Sequence, residues 1–164
     1  MMLIACGVIV VLLAAVYVPI LTETQPQMTE KDANAMLDRL ADAFYRKNAN
    51  DVVSFAADDA KVAGRTLQTM HDYLKRALTN VKDMDVRFTD TRYAREGDTV
   101  KLDTFATATD KQKGSQEAGT PLYHQPVTFT VKRRATPHML GLFNTYEWKI
   151  TNVEAPNIPN IDNM

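Results

Sequence analysis

The chain has 164 residues, with 19 Lys and Arg against 20 Asp and Glu, a formal net charge of -1. That balance excludes a nucleic-acid binder held by phosphate attraction, which needs a basic excess or patch. A single cysteine excludes an internal disulfide framework and a cysteine-rich metal site, and a composition 24% charged and 45% hydrophobic is that of a folded chain.

The charges are unevenly placed. Residues 1–21 read MMLIACGVIVVLLAAVYVPIL and hold none of them. About 20 apolar residues suffice to cross a bilayer, and in hydrocarbon the backbone must be helical to satisfy its own polar groups. The segment is therefore predicted to be a single transmembrane anchor, with Pro19 near its end and Tyr17 suited to the interface. A cleaved signal peptide needs a basic start and a small-x-small cleavage site. Neither is present. Leu3-Ile4-Ala5-Cys6 resembles a lipobox, but the apolar stretch follows the cysteine, so Cys6 reads as a small apolar anchor residue. Lys31 and Arg39 are the nearest basic residues, and counting them weakly favours the domain on the inside. Residues 22–28, with Pro26, form a polar linker.

One domain follows, predicted over 29–154. Thr29 and Asp32 are spaced as a capping box, and Ala33, Met36, Leu37, Leu40 and Phe44 recur at helical steps to about Lys47-Asn48. Asn50-Asp51 starts a short second helix carrying Val52, Val53, Phe55 and Ala56. Asp58-Asp59 is expected to break it, and Ala60 to Ala63 reads as a short strand before Gly64. Thr66 caps a third helix with the stripe Leu67, Met70, Leu74, Ala77 and Leu78.

After Asn80 the period becomes two. Met84, Val86 and Phe88 open a strand running to about Arg95. Glu96-Gly97-Asp98 is a turn, and Val100, Leu102, Thr104 and Ala106 mark the next strand. Residues 110–120 (DKQKGSQEAGT) read as a polar loop. Val127, Phe129 and Val131 mark a third long strand ending in Lys132-Arg133-Arg134; Tyr146, Trp148 and Ile150 mark a fourth. Residues 155–164 (APNIPNIDNM) hold two prolines and no periodicity, and read as an extended C-terminal tail. Helices first and four long antiparallel strands after them define an α+β fold: about three helices packed on a curved, mainly antiparallel sheet.

This order, with the stretches MLDRLADAFYRKNANDVVSFAADDAKV (36–62) and YEWKITNV (146–153), resembles the nuclear transport factor 2-like superfamily, also called SnoaL-like or cystatin-like cone proteins. The resemblance covers about residues 29–154. It implies a cone with a pocket between sheet and helices. It does not imply one function, since isomerases, dehydratases, binding modules and assembly subunits share the fold.

Enzymes of that superfamily carry an Asp with a Tyr, or a His with an Asp, in the cone. The pocket candidates here are His71, Tyr45, Tyr73, Asp103 and Trp148. None of them forms a spacing that demands chemistry. His71 reads as a boundary residue beside the stripe of the third helix, and Asp103 as solvent-facing. His71, His124 and His138 lack metal-ligand spacing, no glycine-rich phosphate loop exists, and no nucleophile elbow is present. No metal, cofactor or catalytic set is expected. Lys132, Arg133 and Arg134 alternate faces on a strand and do not form one patch.

The connection Ala135–Asn144 is unusual for a hairpin loop, because it carries Met139, Leu140, Leu142 and Phe143. Exposed apolar patches mark interfaces, so these four are partner-contact candidates. The expected function is a non-catalytic accessory subunit of a multi-subunit membrane complex, with photosynthetic or respiratory complexes as candidate hosts. Its partners would be other subunits and the lipid bilayer, with no nucleic acid and with a homodimer through the sheet as a further option. The alternative is a membrane-tethered small-molecule binder or an isomerase- or dehydratase-like enzyme using the cone pocket. An anchor bearing a cone domain is similar to inner-membrane assembly subunits of secretion systems, which implies an extracytoplasmic, periplasmic domain.

Overall fold

A computed structural model describes residues 27–81, 83–110, 120–138 and 143–156. The predicted anchor over 1–21 and Met139, Leu140 and Leu142 lie outside the described residues, as do most of the polar loop and the tail beyond Pro156. Among the described residues no helix is long and apolar enough to cross a membrane.

The order of elements is α1 (Glu30–Tyr45), α2 (Ala49–Ser54), β1 (Ala56–Val62), β2 (Arg65–Thr66), α3 (Leu67–Asn80), β3 (Met84–Glu96), β4 (Thr99–Asp110), β5 (Thr120–His138) and β6 (Phe143–Glu154). The α1 start is the capping box that the sequence spells. The Thr29 hydroxyl accepts from the Asp32 N–H at 3.2 Å, and the Asp32 carboxylate accepts from the Thr29 N–H at 3.0 Å. Ala33, Met36, Leu37, Leu40 and Ala43 are all buried, so the stripe is the packed face. The helix ends because Lys47 turns left-handed, at φ 57°, and its ammonium donates to the Val81 carbonyl at 2.6 Å. That bond ties the end of α1 to the end of α3. Asn48 then caps α2, its side-chain oxygen accepting from the Asn50 and Asp51 N–H groups.

Beyond α2 the chain departs from the local reading. Phe55 and Ala56 do not continue the helix, and Asp58-Asp59 is not a break. The strand β1 begins at Ala56 and pairs parallel with β6. The Phe55 carbonyl accepts from the Ile150 N–H at 2.9 Å. A distant strand pairs with Ala56 before the two aspartates and with Lys61 and Val62 after them, and this pairing on both sides overrides their turn preference. Asp59 is held by the Arg134 guanidinium at 2.7 Å. Ala63 and Gly64, both with positive φ, close the turn into β2.

The six strands lie in one mixed sheet, in the order β2-β1-β6-β5-β4-β3. Along β4 the alternation is the one the sequence implies: Val100, Leu102, Thr104, Ala106 and Ala108 are buried, while Lys101 and Asp103 are exposed. The buried Thr104 hydroxyl donates to the Thr89 carbonyl at 2.9 Å and accepts from the Thr91 hydroxyl at 3.0 Å. It sits opposite a register shift in β3 that contains Asp90, at φ 55°. Such a bulge bends a strand and sharpens its twist, which curves the sheet toward the helices. Strand β5 runs longer than expected. The pairing with β6 continues to His138 and Phe143, so the Ala135–Asn144 connection is strand at both ends.

Candidate functional site

The site follows from a gradient in side-chain size. On the inner face of β4 the residues run Val100, Leu102, Thr104, Ala106, Ala108 in that order. At the large end, Val100 and Leu102 join the α1 stripe in one core cluster and are fully buried. At the alanine end the sheet wall is shallow, and α3 stands over it with Met70, Leu74, Ala77 and Leu78. The result is a cavity of about 270 Å³, open to solvent. It explains the burial of α3, where Met70 and Leu78 are buried but Leu67, Leu74 and Ala77 are only half-buried. Their stripe faces a void.

Leu40 and Phe44 of α1 and Val52 and Val53 of α2 form a second wall, and Phe88 and Phe129 line the sheet side. Those two rings meet edge to face, with centroids 5.6 Å apart. Asn80, Thr107 and the phenols of Tyr73 and Tyr123 are the polar residues of the described lining, which holds no carboxylate, imidazole, amine or guanidinium. Burial pushes both phenols above the usual tyrosine range, and at Tyr73 the nearby Arg65 charge pulls the other way. Both therefore stay neutral at physiological pH. The Tyr123 hydroxyl donates to the Pro156 carbonyl at 3.0 Å, and Arg65 lies 5.9 Å from the Tyr73 ring centroid.

Of the pocket candidates, the structure brings Tyr73 into the lining. His71, on the same helix, turns toward α2, its Nε2 2.8 Å from the Asn50 side-chain oxygen. Tyr45 is 57% exposed at the end of α1. Asp103 lies on the outer face of the sheet and accepts from the Thr128 hydroxyl at 2.6 Å. Trp148 packs half-buried against the core and lies outside the cavity wall. The five residues do not converge. Among the described residues no three His, Cys, Asp or Glu side chains are placed to hold a metal ion. Phe143 pairs with His138 at the last register position of the β5–β6 hairpin.

Sequence reasoning missed Tyr123 and Leu122, which line the cavity from the first half of β5. Pro121 and Pro126 obscured the alternation there. The usable signal was the run of alanines on a strand that begins with Val and Leu.

No family model matches the chain, and no curated protein matches it. Solved structures do. A protein of unknown function with a cystatin-like fold from Nostoc punctiforme is 9% identical, with a TM-score of 0.56, over 78% of this chain and 92% of the other. An NTF2-like protein of unknown function from Pseudomonas putida is 13% identical, with a TM-score of 0.52, over 76% of this chain and 82% of the other. Bd1075 from Bdellovibrio bacteriovorus is 11% identical, with a TM-score of 0.57, over 76% of this chain; this chain spans 38% of that protein. At such identities the likeness shows the fold. The fold is an α+β cone with a curved mixed sheet, similar to the cystatin-like and NTF2-like folds of these structures.

Proposed function

We propose that the domain is a binding module for a small, uncharged, apolar ligand held in the cone cavity, and that the apolar 1–21 segment keeps it beside a membrane. The cavity carries this reading. A space of about 270 Å³ opens to solvent, and no ionisable group other than two neutral phenols is in its described lining. An apolar cavity of ~150 Å³ is enough to bind benzene, so this one suits roughly ten to twelve non-hydrogen atoms. Acid–base catalysis needs a titratable group within reach of a substrate proton, and the walls described here offer phenols alone. A charged ligand would lose its hydration without gaining a partner.

The test is a series of straight-chain alcohols from hexanol to tetradecanol, titrated into the full chain in lipid nanodiscs. The methyl resonances of Met70 and Met84, both in the lining, are the reporters. Each methylene buries about 0.8 kcal/mol of transfer free energy, so affinity should rise about fourfold per carbon and level off near ten. Unmoved methyl signals, or a rise that never levels off, would contradict the proposal.

A second reading is the non-catalytic subunit of a membrane complex, meeting its neighbours through Met139, Leu140, Leu142 and Phe143. What supports it is the hairpin they close. Residues 134–138 of β5 and 143–147 of β6 pair with each other, and the described pairings of β4 and β1 end before them. A lone two-stranded ribbon is marginal in water and gains stability by lying against a partner. Copurification of other subunits after gentle extraction tests it.

A further inference from the structure

We propose that the cone stands on a lipid bilayer with the end opposite its cavity, meeting the headgroups through the β3–β4 turn and the base of the β5–β6 ribbon. The proposal rests on the reading that residues 1–21 sit in a membrane. It adds which way the domain faces, and what fixes that direction lies in the described chain.

The domain does not begin on a loose tether. Met28 is 5% exposed and belongs to the core cluster. Its carbonyl accepts from the Tyr93 hydroxyl at 2.6 Å, and the Arg95 guanidinium donates to the Gln27 side-chain oxygen. Arg95 also donates to the Gly97 carbonyl at 3.0 Å. The chain is therefore pinned beside the turn that joins β3 to β4, where Glu96 pairs with Thr99. Six peptide steps separate Leu21 from Gln27, and in any conformation they span at most about 21 Å. A bilayer that holds Leu21 lies within that reach of the turn.

The sheet extends toward the same side. Thr99 pairs with Lys132 where β4 starts, and β5 and β6 run on together from Arg134–Glu147 to His138–Phe143. Those pairs add about 16 Å of strand past the turn, close to the reach of the tether. The base of the ribbon presents Tyr146, 36% exposed, and half-buried Trp148, with the Arg133 guanidinium 5.0 Å from the Tyr146 ring centroid. Tyr and Trp beside Arg or Lys suit the membrane–water boundary, where an apolar ring and a wet polar tip are both satisfied. Asp98 and Asp59 pair with Arg133 and Arg134 at 2.9 and 2.7 Å, so this part of the surface is close to neutral and suits zwitterionic headgroups. The cavity lies at the other end. Ala108 is nine residues along β4 from Thr99, about 30 Å of strand, and Met84 pairs with Asp110 at the far limit of the hairpin. The cavity end is then the end away from the lipid.

Fluorescence quenching of the full chain in phosphatidylcholine nanodiscs, with a nitroxide on a fraction of the headgroups, tests the orientation. In a Cys6→Ser background, a fluorophore is attached at Ala135→Cys or Lys132→Cys at the ribbon base, or at Asn80→Cys at the end of α3, all exposed positions. The nitroxide should quench the two ribbon-base probes at least threefold more than the Asn80→Cys probe. Equal quenching, or stronger quenching at Asn80→Cys, would overturn the proposal and leave the anchor in place. A chain that does not enter the discs would overturn the anchor reading, and this one with it. Two ribbon-base positions guard against one variant that fails to fold. Tyr93→Phe with Arg95→Gln loosens the pin and should shrink the difference between the two ends at least twofold. A difference that survives unchanged would show that the pin does not set the direction, and would count against the proposal.

Discussion

Asp32 is the residue where charge and local structure meet most directly. The Thr29 hydroxyl and backbone N–H both bond to its carboxylate and hold its pKa below the ordinary carboxylate value. A depressed folded value means that the ionised form is favoured in the native state. Its contribution is therefore present above the unfolded carboxylate pKa and is lost as pH falls through the lower folded one. Acidification should fray the first turn of α1 before the rest of the helix, which hydrogen exchange at the Thr29 and Asp32 amides reports. Asp32→Asn should remove that pH dependence. If the amides of the variant and the parent respond to acid alike, the box is not the cause. Thr29→Ala, which loses the cap from the other side, should cost about 1 kcal/mol of stability.

At the scale of elements, α3 and the β1–β2 turn show what local sequence determines and what it leaves open. The Thr66 cap of α3 and the stripe below it were legible, because a cap and a 3.6-residue period are local signals. The distance between that stripe and the sheet was not, since it depends on the small Ala106 and Ala108 across the gap. Ala77→Phe should fill the gap, lower alcohol affinity at least tenfold and leave the melting temperature equal or higher. Undiminished binding in that variant would place the ligand elsewhere. β1 was misread for a related reason: Ala56 to Asp59 is a strand only because β6 lies beside it, and that partner is far along the chain. In the turn that follows, Ala63 carries φ 48°, a left-handed conformation that costs an L-residue about 1 kcal/mol. Ala63→Gly should relieve that and raise stability by up to about 1 kcal/mol in urea unfolding. A loss of stability would show that the turn is not strained.

At the scale of the whole molecule, the α+β class and, among the described residues, the three helices and four long strands were legible, because alternation survives in β3, β4 and β6. The sites were less so. Tyr73 lies in the cavity lining and Asp103 on the outer face that the alternation of β4 implies, whereas His71, Tyr45 and Trp148 take directions that no spacing rule encodes. The β5–β6 ribbon carries the prediction proper to this scale. If the chain is a subunit of a membrane complex, Leu140→Asp with Leu142→Asp should abolish copurification of its neighbours and leave the fold of the cone unchanged. Copurification that persists at wild-type stoichiometry would remove the ribbon from the interface.

The parallel pairing of β1 with β6 also sets an order of events during synthesis. β1 is made early, yet its registered partners are Ile150, Asn152 and Val153. Until those residues leave the ribosome, β1 has only the two-residue β2 to pair with, and α2 and α3 rest on an unfinished wall. Contacts between distant parts of a chain form slowly, because closing the intervening loop costs entropy before any pairing compensates it. The cone can therefore close only as its last strand arrives, and the nascent helices must wait with their apolar faces uncovered. If residues 1–21 are inserted in a membrane by then, that wait takes place at the bilayer surface.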